Sequence, residues 1–338
     1  MRRLRPVWPT VMLLCVLLPL RVRAQSAGVL TGTVVNGTAG GGSIEGLEVT
    51  LRSFQGQEER EPRTTVTDAS GAFRFEGLET GEDWVYLARV VYEGVVYSGG
   101  MVSLTPDQAE VSVQVPVYEA TTDGSSITVE RAHLFLTFTE GGVTTTELYV
   151  FQNPSDRTYV GVDGGDGQRW TAKFLLPEES HDLIFDDGSL NGRFRLIDGG
   201  FVDTEPQWPG TTQVLFSYTV DLIGGVADLS RTLAHPTVDL NVLIEETGAT
   251  IESQDLVLEG TRQAEGQTYL NYVAHSLDAG QHLDLRVRLA AGQGAVRSTQ
   301  PVRTQALPWI LLGSVLAGLP LVYPFWRQRI QSSARKDG

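Results

Sequence analysis

The pattern that most limits how this chain folds is a period of two. In "LEVTLRSF" the residues Leu47, Val49 and Leu51 share one parity, in "AFRFEGL" Phe73 and Phe75 do, and in "AEVSVQVPVYE" Val111, Val113 and Val115 do. Successive side chains of a strand point to opposite faces, so each run has one apolar and one polar face. Turn chemistry separates the runs: Asn36-Gly37, "AGGGS", "DASG" and Glu140-Gly141-Gly142. No ten-residue stretch between them carries an apolar stripe at helical spacing, so the body of the chain is expected to be all-β.

The strands group into two blocks. Residues 28–117 hold the runs just quoted and "WVYLARVVYEGVVYSG", which reads as a hairpin. In this block "TVTDASGAFRFEGLETG" reads as a second hairpin: Val66 ends one strand, Gly71 takes positive φ in the turn, and Phe73 and Phe75 enter the core from the next strand while Arg74 and Glu76 face out. Residues 118–291 open with a long hairpin around Glu140-Gly141-Gly142. They continue with "RWTAKFLLP", "GRFRLID", "TQVLFSYTV", "VDLNVLIEE", "QTYLNYVAHS" and "HLDLRVRLA". Short strands recurring at this spacing predict a second sandwich, of immunoglobulin-like type.

Both ends of the chain differ from this body. Residues 1–24 combine Arg2, Arg3 and Arg5 with "VWPTVMLLCVLLPL" and small residues before Gln25, which predicts a secretory signal peptide. Its Cys15 is the only cysteine, so a processed chain has no disulfide and no thiolate chemistry. Residues 306–326, "ALPWILLGSVLAGLPLVYPFW", lack any charge and match the ~20 residues that span a bilayer as a helix. Trp309, Tyr323 and Trp326 mark its ends, and the basic tail 327–338 follows. The expected organisation is two tandem β-sandwiches, a stalk over 292–305 and a single C-terminal transmembrane helix. The sandwiches would face outward, as in a single-pass type I protein.

Charge narrows the partners. The chain carries −15; without the five arginines of the first 24 residues it has 21 basic and 41 acidic side chains, a net −20. Such a surface repels phosphate backbones, which argues against nucleic acid as a partner. The expected contacts are an envelope protein or a glycan, and the lipid bilayer through residues 306–326.

"TDASGAFRFEGL", Thr67 to Leu78, together with "GTVVNGT" and "LEVTL" upstream, resembles the T-D-x-x-G-x-F-x-F-x-x-L signature of carboxypeptidase regulatory-like domains. The likeness covers residues 28–117. It implies a small prealbumin-like sandwich serving as a non-catalytic accessory, in a fold also grouped with carbohydrate-binding sandwiches. No peptidase domain accompanies it here.

Few residues suggest chemistry. In "PEESHDLIFDDGSLNG", His181 with Asp182, Asp186 and Asp187 is the candidate cation cluster; the competing reading is a solvated turn. "GVDGGDGQRW" has the composition of a calcium loop without its ligand spacing. Trp208, Trp170 and Trp84 are the candidate aromatic platforms for a sugar, Trp208 foremost because "EPQWPGTT" places it in a loop; the alternative is that they plug sandwich ends. No H-E-x-x-H, G-x-S-x-G or phosphate-cradling loop is present, so no enzyme activity and no cofactor are expected.

Overall fold

The computed structural model describes residues 27–289, apart from 140, 166, 186–189, 191, 247 and 265–266. The expected signal, stalk, span and tail, and Asp186 and Asp187 of the cation cluster, lie outside the described residues. The described residues form strands, turns and bends with no helix. They divide into two compact units, one of residues 27–36 and 43–117, the other of 37–42 and 118–289.

The first unit packs two sheets. Its strands are β1 (Gly28–Asn36), β2 (Glu48–Gln55), β3 (Glu58–Glu59), β4 (Arg63–Val66), β5 (Ala72–Leu78), β6 (Trp84–Tyr92), β7 (Val95–Ser98) and β8 (Glu110–Val117). One sheet has the order β5-β1-β8; the other has β3-β2-β6-β7, with β4 also on β2. Strand β1 runs antiparallel to β5 and parallel to β8, from Val29 opposite Glu110 to Asn36 opposite Val117. The alternating residues meet between the sheets: Leu30, Val34, Val49, Leu51, Phe75 and Val115 are all buried. Phe73 and Phe75 sit edge to face with centroids 6.2 Å apart, while Arg74 reaches Glu76 at 2.7 Å on the outside.

The stretch around "DASG" corrects one expectation. Strands β4 and β5 do not pair as a hairpin: β4 lies on β2 and β5 on β1, so the chain changes sheets there. Asp68 holds the crossing, its Oδ1 accepting from the Ser70 and Ala72 amides at 2.8 and 2.9 Å. Gly71 takes φ +80°, and a side chain at this position would strike the Val34 carbonyl. The predicted β6–β7 hairpin does form, through Glu93 and Gly94 at φ 48° and 78°, the paired left-handed residues of a tight hairpin turn.

The second unit is built on a seven-stranded sheet. Its order is 180–185, 210–221, 142–153, 128–138, 237–245, 267–277 and 257–264. The hairpin 128–138/142–153 forms as expected, and 128–138 runs parallel to 237–245. Two three-stranded sheets, 172–175/200–203/194–197 and 226–228/286–288/250–252, belong to the same core. The two-layer expectation holds; the seven-stranded layer is wider than either layer of an immunoglobulin-like sandwich. Beside the first small sheet the core is aromatic: Phe174 stacks on Phe201 at 4.6 Å and Phe185 on Phe194 at 4.3 Å. Beside the second it is aliphatic, with Leu134, Val242, Ala227 and Val287 all buried.

Candidate functional site

The cation candidate sits on a strand rather than in a turn. Ser180–Phe185 is an edge strand of the seven-stranded sheet, with Phe185 buried and a register shift between His181 and Ile184. The shift coincides with Asp182, which adopts φ 54°. His181 Nδ1 lies 3.0 Å from Asp182 Oδ2, and its Nε2 lies 3.2 Å from Asp221 Oδ1. Hydrogen bonds first to Asp182 and then to Asp221 raise the His181 pKa above its ordinary value. This is the arrangement of an imidazolium clasped by two carboxylates. Among the described residues, no three His, Cys, Asp or Glu side chains gather as a metal site. In the calcium-like loop, Asp163 Oδ1 accepts from the Gly165 amide at 2.9 Å, a local turn bond.

The tryptophans divide between the units. Trp84 begins β6 in the first unit, half-buried and stacked on Tyr86 at 6.1 Å with 9° between the rings. Tyr86 is itself buried, its hydroxyl donating to the Glu79 carbonyl, and burial pushes its pKa up to about 12. Trp170 is half-buried in the second unit, and a side chain on Gly164 would enter its ring. The glycine loop thus closes over the indole, whose Nε1 is buried without a partner. Trp208 is 41% exposed. The neighbours of these last two rings meet: Gln207 Nε2 donates to the Thr171 carbonyl at 3.3 Å. The residues beside Trp170, which ends the short strand Arg169–Trp170, and beside Trp208 are therefore tied together.

The most concentrated buried charge was not singled out by the sequence. Arg231, Glu147 and Tyr218 are all buried, beneath the seven-stranded sheet. Arg231 Nη1 lies 2.7 Å from both Glu147 Oε1 and the Tyr218 hydroxyl, and its Nη2 lies 3.0 Å from Glu147 Oε2. Tyr218 donates to Glu147 Oε1 at 2.6 Å, and the Tyr149 hydroxyl lies 3.4 Å from Arg231 Nη2. Burial alone would lower the guanidinium pKa, but Glu147 holds it well above its ordinary value. Burial drives the Tyr218 pKa well above its own. Beside the cluster, a cavity of about 20 Å³ reaches His235, room for roughly one water. Burial lowers the His235 pKa to about 4, and its Nε2 accepts from the Lys173 amide at 3.0 Å. A signal for the cluster existed: Glu147 shares parity with Tyr149 and Phe151 in "TTTELYVF", which places a carboxylate on the core face.

These features define an all-β protein of two sandwich-like units whose strongest internal charges are paired with one another. No family model and no curated protein matches the chain. Solved structures resemble it only distantly. A DUF3823 family protein from Parabacteroides merdae is 16% identical, with a TM-score of 0.19, over 59% of this chain and 82% of that one. The RrgB pilus protein from Streptococcus pneumoniae is 10% identical, with a TM-score of 0.21, over 78% and 62%. BcpA, the major pilin subunit of Bacillus cereus, is 10% identical, with a TM-score of 0.19, over 76% and 87%.

Proposed function

We propose that the chain is a non-enzymatic binding or scaffolding protein of the cell envelope, held to the membrane by residues 306–326 with its two β units outside. The observation that carries this reading is the commitment of its reactive groups to one another. Arg231, Glu147, Tyr218 and Tyr149 close into an internal cluster, and both His181 nitrogens face carboxylates. A fully satisfied buried network such as that around Arg231 rigidifies the core it sits in, as a binding or scaffolding frame requires. The location rests on the signal-like residues 1–24, the uncharged 306–326 and the basic residues after Trp326. The motif at Thr67–Leu78 supports an accessory role for the first unit, in the manner of carboxypeptidase regulatory-like domains.

Crosslinking of the full chain in its native membrane, followed by identification of the adducts, tests the reading. A protein partner recovered independently of sugar supports it. Protease added outside should remove the units and spare the tail after Trp326; full protection of the units would defeat the orientation. One observation favours a second reading, carbohydrate binding: Trp208 stands exposed, and its neighbour Gln207 is bonded to Thr171 beside Trp170. Glycan-array binding of the full chain separates the two.

A further inference from the structure

We infer that the outer face of the seven-stranded sheet carries a binding site for a neutral, hydroxyl-rich ligand, a saccharide, at Asn271. The inference rests on the carbohydrate reading but places the ligand away from the tryptophans. An open depression of about 270 Å³ is lined by Glu259, Gly260, Thr261, Arg262 and Asn271. It forms where the edge strand 257–264 bulges between Leu258 and Gly260 against the strand 267–277. Asn271 faces away from the core, opposite Leu243, yet is only 1% exposed, its amide bonded to Glu259 of the neighbouring edge strand.

The polar groups are unequally satisfied. Asn271 Nδ2 donates to Glu259 Oε2 at 2.8 Å, and Arg262 Nη2 reaches the same oxygen at 3.2 Å. The Asn271 side-chain oxygen is buried and has no donor. Turning the amide over would set that oxygen against the Glu259 carboxylate, so the bond to Glu259 fixes the orientation. A buried acceptor left without a donor is costly, and an incoming donor recovers that cost.

The surrounding charges select the ligand. An anion would meet the Glu259 carboxylate and the Asn271 oxygen. A cation would meet Arg262, which already balances Glu259. A hydroxyl both donates and accepts: it would donate a hydrogen bond to Asn271 and accept one from Arg262. Two residues along the same strand face, Tyr269 stands half-buried and opposite Arg262, offering the aromatic surface that sugar rings stack on.

Saturation-transfer NMR on the full chain, with neutral oligosaccharides of glucose, mannose and N-acetylglucosamine as probes, tests the site. Binding of at least one probe is expected, weakened about tenfold or more by Asn271→Leu and severalfold by Glu259→Gln and Arg262→Ala. The last two change exposed side chains, so the result does not depend on Asn271→Leu folding. Binding that survives all three variants overturns the site, and its loss in Trp208→Ala under those conditions returns the ligand to the tryptophans with the carbohydrate reading intact. No binding of any probe by the unmodified chain overturns the site and that reading together.

Discussion

The two units solve the burial problem differently. The first buries no charged side chain among its described residues; its buried polar groups are Ser53, Thr67 and Thr80. The second buries Glu147, Asp203 and Arg231, and its Asp203 holds the largely buried Arg193 at 2.7 Å. All five histidines also fall in the second block of sequence. An apolar core is indifferent to pH and tolerates modest change, whereas a core with paired charges depends on every partner remaining in place. The first unit is therefore governed by shape and the second by shape and protonation together.

Acid should expose this contrast most strongly. Burial lowers the pKa of both His133 and His235 from 6.5 to about 4. A histidine depressed in the folded state contributes stability that is present above pH 6.5 and is lost as pH falls through about 4. Each is worth roughly 3 kcal/mol by this linkage. Hydrogen exchange of the full chain between pH 7 and pH 4 should show the second unit losing protection while the first keeps it; parallel loss would break the comparison. His181 works the other way: its raised pKa gives a contribution present below pH 6.5 and lost as pH rises through the folded value.

Breaking the buried pair comes next. Arg231→Met alone should destabilise the second unit by about 3–5 kcal/mol, because Glu147 is then left buried and uncompensated. Adding Glu147→Leu should restore most of that loss in a thermal melt, and a double variant as weak as the single would show that packing, not charge, dominates the site.

In the first unit, Phe73→Ala should cost about 3 kcal/mol through the cavity it opens beside Phe75. The smallest effect is expected one residue on. Arg74→Ala removes surface bridges to Glu76 at 2.7 Å and Glu110 at 3.4 Å and should shift stability by less than about 0.5 kcal/mol. A larger shift would mean that the outer face of β5 is not merely solvated.

The same contrast explains what the sequence disclosed. Alternation in β2, β5 and β8 pointed correctly to Val49, Leu51, Phe73, Phe75, Val113 and Val115 as core residues, while Leu47 and Val111, of the same parity but near the strand ends, are only half-buried. Parity does not say which sheet a strand joins, and so the crossing at Asp68–Gly71 read as a hairpin. Strands 180–185 and 257–264 escaped notice because acids and glycine interrupt their apolar pattern. Edge strands bury only part of one face and carry such residues readily. Of the site candidates, His181 and Asp182 do meet, but Asp221, some 40 positions away, completes the contact. Arg231 meets Glu147 only through long-range pairing, 84 positions apart, which no local spacing encodes, whereas Asn271 and Glu259 face each other within one hairpin whose first strand the sequence did not reveal.

The parallel ladder between β1 and β8 also has a mechanical meaning. Gly28 begins β1 and Val117 ends β8, and because the two strands run the same way these points lie at opposite ends of the ladder. A pull applied to these two points does not unzip the pairing one rung at a time. It slides β1 lengthwise against β8, loading the rungs from Val29–Glu110 to Asn36–Val117 together. Resistance to such a pull is set by the barrier to that collective slip rather than by equilibrium stability. Loaded between Gly28 and Val117, the first unit is thus held in shear across β1 and β8.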